Sequence, residues 1–367
     1  MNRSNFLSVF GVLALLILIT AAIVLYAQGF RLDLGRGGYT KTGMILVKSV
    51  PDGARVLLDG KLAAATDSTI PSLTEGTYRI KIEKEGYVPW EKDVEVKAEL
   101  VTGVTALLPP LSPSLTAITQ NGARLVAPAP SGTKAAFISK GKLFLLPLNS
   151  QFLGFLRTRP QEIGKGSTGA SFAKATRLLF SPNEDQILVI TPTKSVLFTI
   201  GQGASQTVDD LAKLKSKWAD ERREHRAEII QNLEVPSELK DIAISTSAVW
   251  APDERKFLYE KSKDGKKQFW VANLSDPLSV GESVNQKIWE TENPDLKLFW
   301  LADSSHLVML ENGMVSVLDL DGSNRRELFS GELAESIAFS SSDLAKIIVL
   351  TSISPKSAPN LYAISLR

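Results

Sequence analysis

The chain has 367 residues, 44% apolar and 22% charged, a balance found in folded proteins, with room for two or three domains. A net charge of +2 without a basic block argues against nucleic acid as a partner. There is no cysteine, which removes disulfides, thiol nucleophiles and thiolate metal sites, and the two histidines, His225 and His306, are too far apart for ligand spacing.

Between Phe6 and Ala27 the sequence reads FLSVFGVLALLILITAAIVLYA, and no charge falls between Arg3 and Arg31. A helix of that length reaches roughly 33 Å, enough for a hydrocarbon core of about 30 Å. A cleaved signal peptide is the rival reading. It needs a shorter apolar region and a small-x-small site, and Leu25 is too large for that pattern before Ala27. Residues 1–28 are expected to be an uncleaved transmembrane anchor. Arg3 precedes the helix and Arg31, Arg36 and Lys41 follow it, which mildly favours a cytoplasmic C-terminal part. That rule is weak for one helix before a long domain. Residues 29–41, rich in Gly and charge, read as a juxtamembrane spacer.

A first globular unit follows over 42–109. GMILVKSV starts a strand, Pro51-Asp52-Gly53-Ala54 turns, and 54–58 returns to the hairpin signal Asp59-Gly60. Over 77–84, Tyr78, Ile80 and Ile82 alternate with Arg79, Lys81 and Glu83, the period of a half-buried strand. Trp90, Val94 and Val96 share a face in the next strand, and 103–108 is the last before Pro109-Pro110. The Pro-acid-Gly-Ala turn, the Asp-Gly hairpin, Leu73-Thr74-Glu75-Gly76-Thr77-Tyr78 and Gly86-Tyr87 resemble the PEGA domain. One segment departs from it: Ala65-Thr66-Asp67-Ser68 stands where that family has Gly-x-Thr-Pro. The resemblance implies a small β-sandwich at the cell envelope, a spacer or binding module and not an enzyme.

Residues 114–367 repeat a pattern. APAPSGTKAAFI, LFSPNEDQILVI, VWAPDERKFLYE, FWLADSSHLVML and AFSSSDLAKIIVL align on Pro130, Pro182, Pro252, Ala302 and Ser341. Phe180, Trp250, Trp300 and Phe339 lie two residues before their anchors. Each copy continues into a second apolar strand and some into a polar third, one antiparallel sheet per repeat. Such sheets cover both faces by packing radially, as in a β-propeller. The expectation is five blades, or six if 151–171 forms a divergent one. Leu115 to Thr119 can complete the last blade and close the ring. The Ser/Ala-Pro-Asp/Asn motif resembles the WD40-like repeats of TolB-type propellers. It is kept at Pro182-Asn183 and Pro252-Asp253, half kept at Ala302-Asp303 and lost at Ser341-Ser342. One anchor helix, a PEGA-like unit and such a propeller together resemble membrane-anchored PEGA-domain proteins of bacteria. The resemblance implies globular parts outside the cytoplasmic membrane.

Between the second and third anchors lie 70 residues, against 39 to 52 elsewhere. The excess, 209–235, is helical by composition: Asp209 and Asp210 suit its N-terminus and Pro236 lies just past its stop. Leu211, Leu214, Trp218, His225, Ile229 and Leu233 make one stripe. This is either a surface helix packing its stripe on the propeller or a partner-binding helix, with Trp218, Arg222, Arg223 and Arg226 as candidate contacts.

Little in the sequence points to catalysis. GKGSTG at 164–169 spells Gly-x-Gly-x-x-Gly without the strand and helix a nucleotide site needs. There is no Gly-x-Ser-x-Gly elbow. Asp253 and Asp303 sit at repeated turns, where an acid usually bonds its own backbone. Asn273-Leu274-Ser275 spells a glycosylation acceptor. The sequence reads as a mainly β, single-pass membrane protein without catalytic, cofactor or metal residues, displaying a binding module for an envelope protein or glycan. An envelope glycosidase or other hydrolase built on the propeller is the alternative.

Overall fold

The computed structural model describes residues 3–27, 30–33, 38–148, 159–163, 171–202, 205–354 and 357–367. The fold is mainly β, with three helices among the described residues. It divides into two compact units: Met1–Leu108 with Ser279–Glu282, and Pro109–Leu278 with Ser283–Arg367.

The first unit opens with helix α1 (Arg3–Ala27), whose described side chains, 10–24, are all exposed. Side chains 6–9 and 25–27 of the expected span lie outside the described ones. Among the described residues no helix is long and apolar enough to cross a membrane. Strand β1 (Phe30–Asp33) pairs with the start of β2 (Gly38–Val50), Phe30 opposite Lys41 and Asp33 opposite Gly38. The stretch read as a spacer is therefore paired backbone over 30–33 and 38–41. Six strands follow: β3 (Arg55–Leu58), β4 (Lys61–Ala65), β5 (Ser68–Thr74), β6 (Gly76–Glu83), β7 (Trp90–Val96) and β8 (Val101–Leu107). One four-stranded sheet runs β1-β2-β5 with β8 parallel on β2, and the other runs β4-β3-β6-β7.

Ile45, Val47, Val56, Ile80, Ile82 and Trp90 form the core of this unit. The segment that departs from the PEGA pattern does structural work. Thr66 Oγ1 accepts from Ala54 N at 2.9 Å and lies 2.6 Å from Ser49 Oγ, while Asp67 Oδ1 accepts from Ser49 N at 3.1 Å. These bonds pin the Pro-Asp-Gly-Ala turn to β2. Strand β5 was not expected, and β4 was implied only by the Asp59-Gly60 hairpin signal. KLAAA has no β-branched residue, and its pairing with β3 comes from the hairpin and not from its own propensity.

The second unit begins with β9 (Leu115–Ala117) and continues into five four-stranded sheets. The first holds β10 (Arg124–Pro128), β11 (Lys134–Ser139), β12 (Lys142–Pro147) and β13 (Gln161–Glu162). The second holds β14 (Arg177–Phe180), β15 (Gln186–Ile190), β16 (Ser195–Thr199) and β17 (Ser205–Val208). Helices α2 (Leu211–Gln231) and α3 (Ser237–Ile244) come next. The third sheet holds β18 (Val249–Trp250), β19 (Lys256–Lys263), β20 (Lys266–Asn273) and β21 (Asn285–Thr291). The fourth holds β22 (Lys297–Trp300), β23 (His306–Glu311), β24 (Met314–Asp319) and β25 (Arg326–Ser330). In the last, β26 (Leu333–Ser340), β27 (Lys346–Thr351) and β28 (Asn360–Ser365) are completed by β9, with Ala363 opposite Thr116. Of 151–171, the described part supplies β13, the outer strand of the first sheet; the rest lies outside the described residues, as does 164–169.

Apolar residues run unbroken along the second strands, Ala135–Ile138 and Ile187–Val189 among them, because both faces of each sheet are covered. Sheet one packs on sheet two through Ile138 and Phe180, and on sheet five through Phe137 and Phe339. Sheet three packs on sheet four through Leu258 and Trp300. The inner strand β10 lies beside β14 and β26, and β22 beside β26. This is a propeller closed by its own first strand.

The repeated motif is a tight turn after each inner strand. Its amide-to-carbonyl bonds are Gly132 to Ala129, Glu184 to Ser181, Glu254 to Ala251, Ser304 to Leu301 and Leu344 to Ser341. The donor of each is left-handed, at φ 67°, 58°, 55°, 55° and 55°. The fifth turn therefore starts at Ser341 and places Ser342, not Ser341, where the other copies have Pro or Ala. Asp343 holds the acid position, so the motif read as lost is half kept one residue on, as at Ala302-Asp303. Three consecutive serines hide that shift in sequence. The shift turns Phe339 to the opposite face from Phe180 and Trp300, since a one-residue slip reverses a strand. Ser340 takes the aromatic position, opposite Ile347 as Trp300 is opposite Leu307.

The insertion fills the seam between the second and third sheets. Asp210 caps α2, accepting from Lys213 N at 2.9 Å. Leu211, Leu214 and Trp218 cover Leu188 and Leu197 of the second sheet. Pro236 does not merely end a helix: it opens α3, whose Leu239 and Ala243 cover Phe257, Tyr259 and Ala272 of the third. His225, expected in the stripe, is exposed and bonds Glu254 at 2.9 Å; Arg226 lies half-buried beside it. With Trp218 only 4% exposed, Trp218→Ala should cost about 3–5 kcal/mol in chemical denaturation. Arg223→Ala, on the exposed side of α2, should stay within about 0.5 kcal/mol of the parent.

Candidate functional site

The inner strands β10, β14 and β26 enclose an open cleft of about 430 Å³. Its walls are mostly apolar, with Leu125, Leu179 and Ile337 among them, and its two charged residues are Arg177 and Glu335. Strand β10 is bulged there, with Leu125 at φ 53°, so that two consecutive amides turn toward β26. Glu335 takes both, accepting from Leu125 N at 2.5 Å and Val126 N at 3.0 Å. The carboxylate is thus spent on holding the first and last sheets together, whereas Arg177 is exposed. The lining supplies a surface for binding and a single, engaged carboxylate, where glycoside hydrolysis uses two facing carboxyls.

The acids of the repeated turns are engaged in the same way. Asp253 Oδ1 accepts from Arg255 N at 3.0 Å, and Asp343 Oδ1 from Ala345 N at 3.0 Å. Asp303 Oδ1 accepts from Ser305 N at 3.0 Å and His306 N at 3.1 Å, and its Oδ2 lies 2.6 Å from His306 Nδ1. His306 is 1% exposed, with Nε2 3.5 Å from Asp319 Oδ1. The sequence reading missed this buried carboxylate–imidazole–carboxylate cluster; its one local signal is an acid three residues before the histidine on a tight turn. Burial opposes the charge on Asp303. The charge and hydrogen bond of His306, with the two amides, outweigh it and hold the carboxyl below its ordinary pKa. Among the described residues no group of three or more His, Cys, Asp or Glu could hold a metal ion. Asn273 of the glycosylation motif is 5% exposed and accepts from Ser275 N at 3.1 Å, so it is closed to modification in the folded unit.

The four candidate contacts on α2 separate. Trp218 is buried against the second sheet. Arg226 is half-buried and donates to Ser245 O and, at 3.1 Å, to Ala248 O, tying α2 to the C-terminal end of α3. Burial first, and then the charge of Arg222, lower its pKa. Arg223 is exposed, 3.6 Å from Asp220 on its own helix. Only Arg222 stands half-buried beside Trp218 at a surface notch.

Residues 42–112 match the PEGA domain. The search of curated proteins returns no match. Among solved structures the chain is similar to a protein reported as TolB from Agrobacterium tumefaciens, at 10% identity over 65% of this chain and 76% of that one, with a TM-score of 0.25. It is similar to TolB from Acinetobacter baumannii at 11% identity over 67% and 51%, with a TM-score of 0.24. A puromycin-hydrolyzing peptidase from Mycobacterium tuberculosis is similar at 10% identity over 75% and 40%, with a TM-score of 0.22. The chain thus spans about half of the second protein and less of the third.

Because Asp303 titrates lower in the folded state than unfolded, its contribution is complete above the ordinary carboxyl pKa of about 4 and is lost as pH falls through the lower folded value. Asp303→Asn should be about 2 kcal/mol less stable than the parent at pH 7. Denaturation midpoints taken at stepwise lower pH should show that gap closing below about pH 4.

Proposed function

We propose that the chain is a non-catalytic, single-pass envelope protein that displays the PEGA-like sandwich and the propeller outside the cytoplasm, where the propeller binds a protein or glycan. The inner cleft carries this reading: its walls are apolar and open, its guanidinium is exposed, and its carboxylate is already bonded to two amides. The engaged acids of the repeated turns support a scaffold role in the same way.

The membrane part of the reading is supported by α1. Phe10, Val12, Leu13, Leu15, Leu16, Ile17, Leu18, Ile19, Ile23 and Val24 are each 47–68% exposed, on every side of the helix. Leaving one such side chain in water forgoes about 1.5–3 kcal/mol. A helix that is apolar and exposed on every side suits a lipid surround. At 25 residues it is about 37 Å long.

A phosphatase reporter that works only outside the cytoplasm, fused after Arg367, should be active; activity of a cytoplasmic reporter at the same point would reverse the orientation. The purified full chain should turn over none of a panel of glycosides, esters and peptides. Turnover abolished by replacing one carboxylate would establish the hydrolase alternative instead.

A further inference from the structure

Beside the inner cleft lies a second concavity of about 210 Å³, between β14 and α2. Leu179, Phe180 and Trp218 make its apolar floor, and Arg177, Lys215 and Arg222 stand around it. The last two share a helix face with Trp218, at spacings of three and four residues. No acid lines the notch. Among the described residues, none of the three cations has an ion-pair or hydrogen-bond partner, so all three are available to a ligand. Arg226, one turn beyond Arg222, already feels its charge. Arg177, Leu179 and Phe180 also line the inner cleft, so the notch and the cleft adjoin along β14.

We propose that this notch docks an extended acidic peptide segment, with carboxylates on Arg177, Lys215 and Arg222 and an apolar side chain between them over Leu179 and Trp218. The proposal rests on the propeller being a binding module, and it names the partner's chemistry and the side of the cleft it enters. Two guanidinia and an ammonium around an apolar floor complement carboxylates that flank a hydrophobic residue. Along an extended chain, alternate side chains face the same way about 7 Å apart, which lets acids meet the rim while the chain continues through the adjoining cleft. A bilayer surface is too flat to enter such a notch, and a lone phosphate leaves the floor uncovered.

The test is an array of random seven-residue peptides probed with the detergent-solubilised full chain, followed by fluorescence anisotropy on a labelled peptide that it retains. Retained sequences should carry two or more Asp or Glu around an apolar residue. Arg177→Ser, Lys215→Ser and Arg222→Ser should each weaken binding by about fivefold or more, and added salt should weaken it further. Arg223→Ser, off the notch, should change affinity less than about twofold. Each variant is first checked for the parent's thermal transition; Lys215→Ser and its reversal Lys215→Glu serve if an arginine variant loses it. Retention of non-acidic peptides, or equal loss in Arg223→Ser, overturns the notch while leaving the propeller a binding module. Displacement of the peptide by millimolar inorganic phosphate or by anionic-lipid vesicles overturns the peptide assignment, and an array that retains nothing overturns the site.

Discussion

A four-stranded sheet with two apolar faces survives in water only when both are covered, and the second unit is organised by that requirement. Four of its seams are sheet against sheet. At the fifth, between the second and third sheets, the neighbours are Trp218 on one side and Leu239 with Ala243 on the other. The helix pair stands where a sheet would stand. The indoles report this directly: Trp300 Nε1 donates back to Val249 O of the preceding sheet, whereas Trp250 Nε1 donates back to Ala243 O of α3. The same inner-strand position thus finds the same kind of carbonyl on a helix.

Polar clasps at the repeated turns complete the ring. Ser131 N meets Glu184 at 2.5 Å, Asp253 N meets Ser304 Oγ at 3.0 Å, and Ala302 N meets Ser340 Oγ at 2.9 Å. Ser342 N meets Leu148 O at 3.3 Å where the last sheet returns to the first. At the helical seam the left-handed Glu254 bonds His225 of α2. Turn acids that look available in sequence are therefore occupied by the turns and seams that hold the sheets in place.

Elements with strong local signals were legible: alternating Ile80 and Ile82, the apolar runs of the sheets, and the amphipathic stripe of α2. What escaped depended on partners remote in sequence. The register of the last turn is settled by Leu344 adopting a left-handed backbone, which three identical serines cannot announce. Pro236 is equally compatible with a helix stop and a helix start. Arg226 enters the buried side because its aliphatic stem can lie in the seam while its guanidinium reaches two carbonyls, an option that a hydrophobicity pattern does not encode. Of the notch, Trp218 and Arg222 were named as candidate contacts from α2 alone. Arg177 was not, since only the seam between β14 and α2 brings it there.

The pairing of β1 with β2 bears on how far the first unit can wander. A flexible linker over 29–41 would sweep a root-mean-square distance of about 20 Å. Instead, two residues after α1 the chain is already an edge strand, with Phe30 opposite Lys41 and β2 running on without a break to Val50. Two residues span about 7 Å at most. The backbone pairing of the first sheet therefore starts within that span of the last residue of α1, where a free linker was expected.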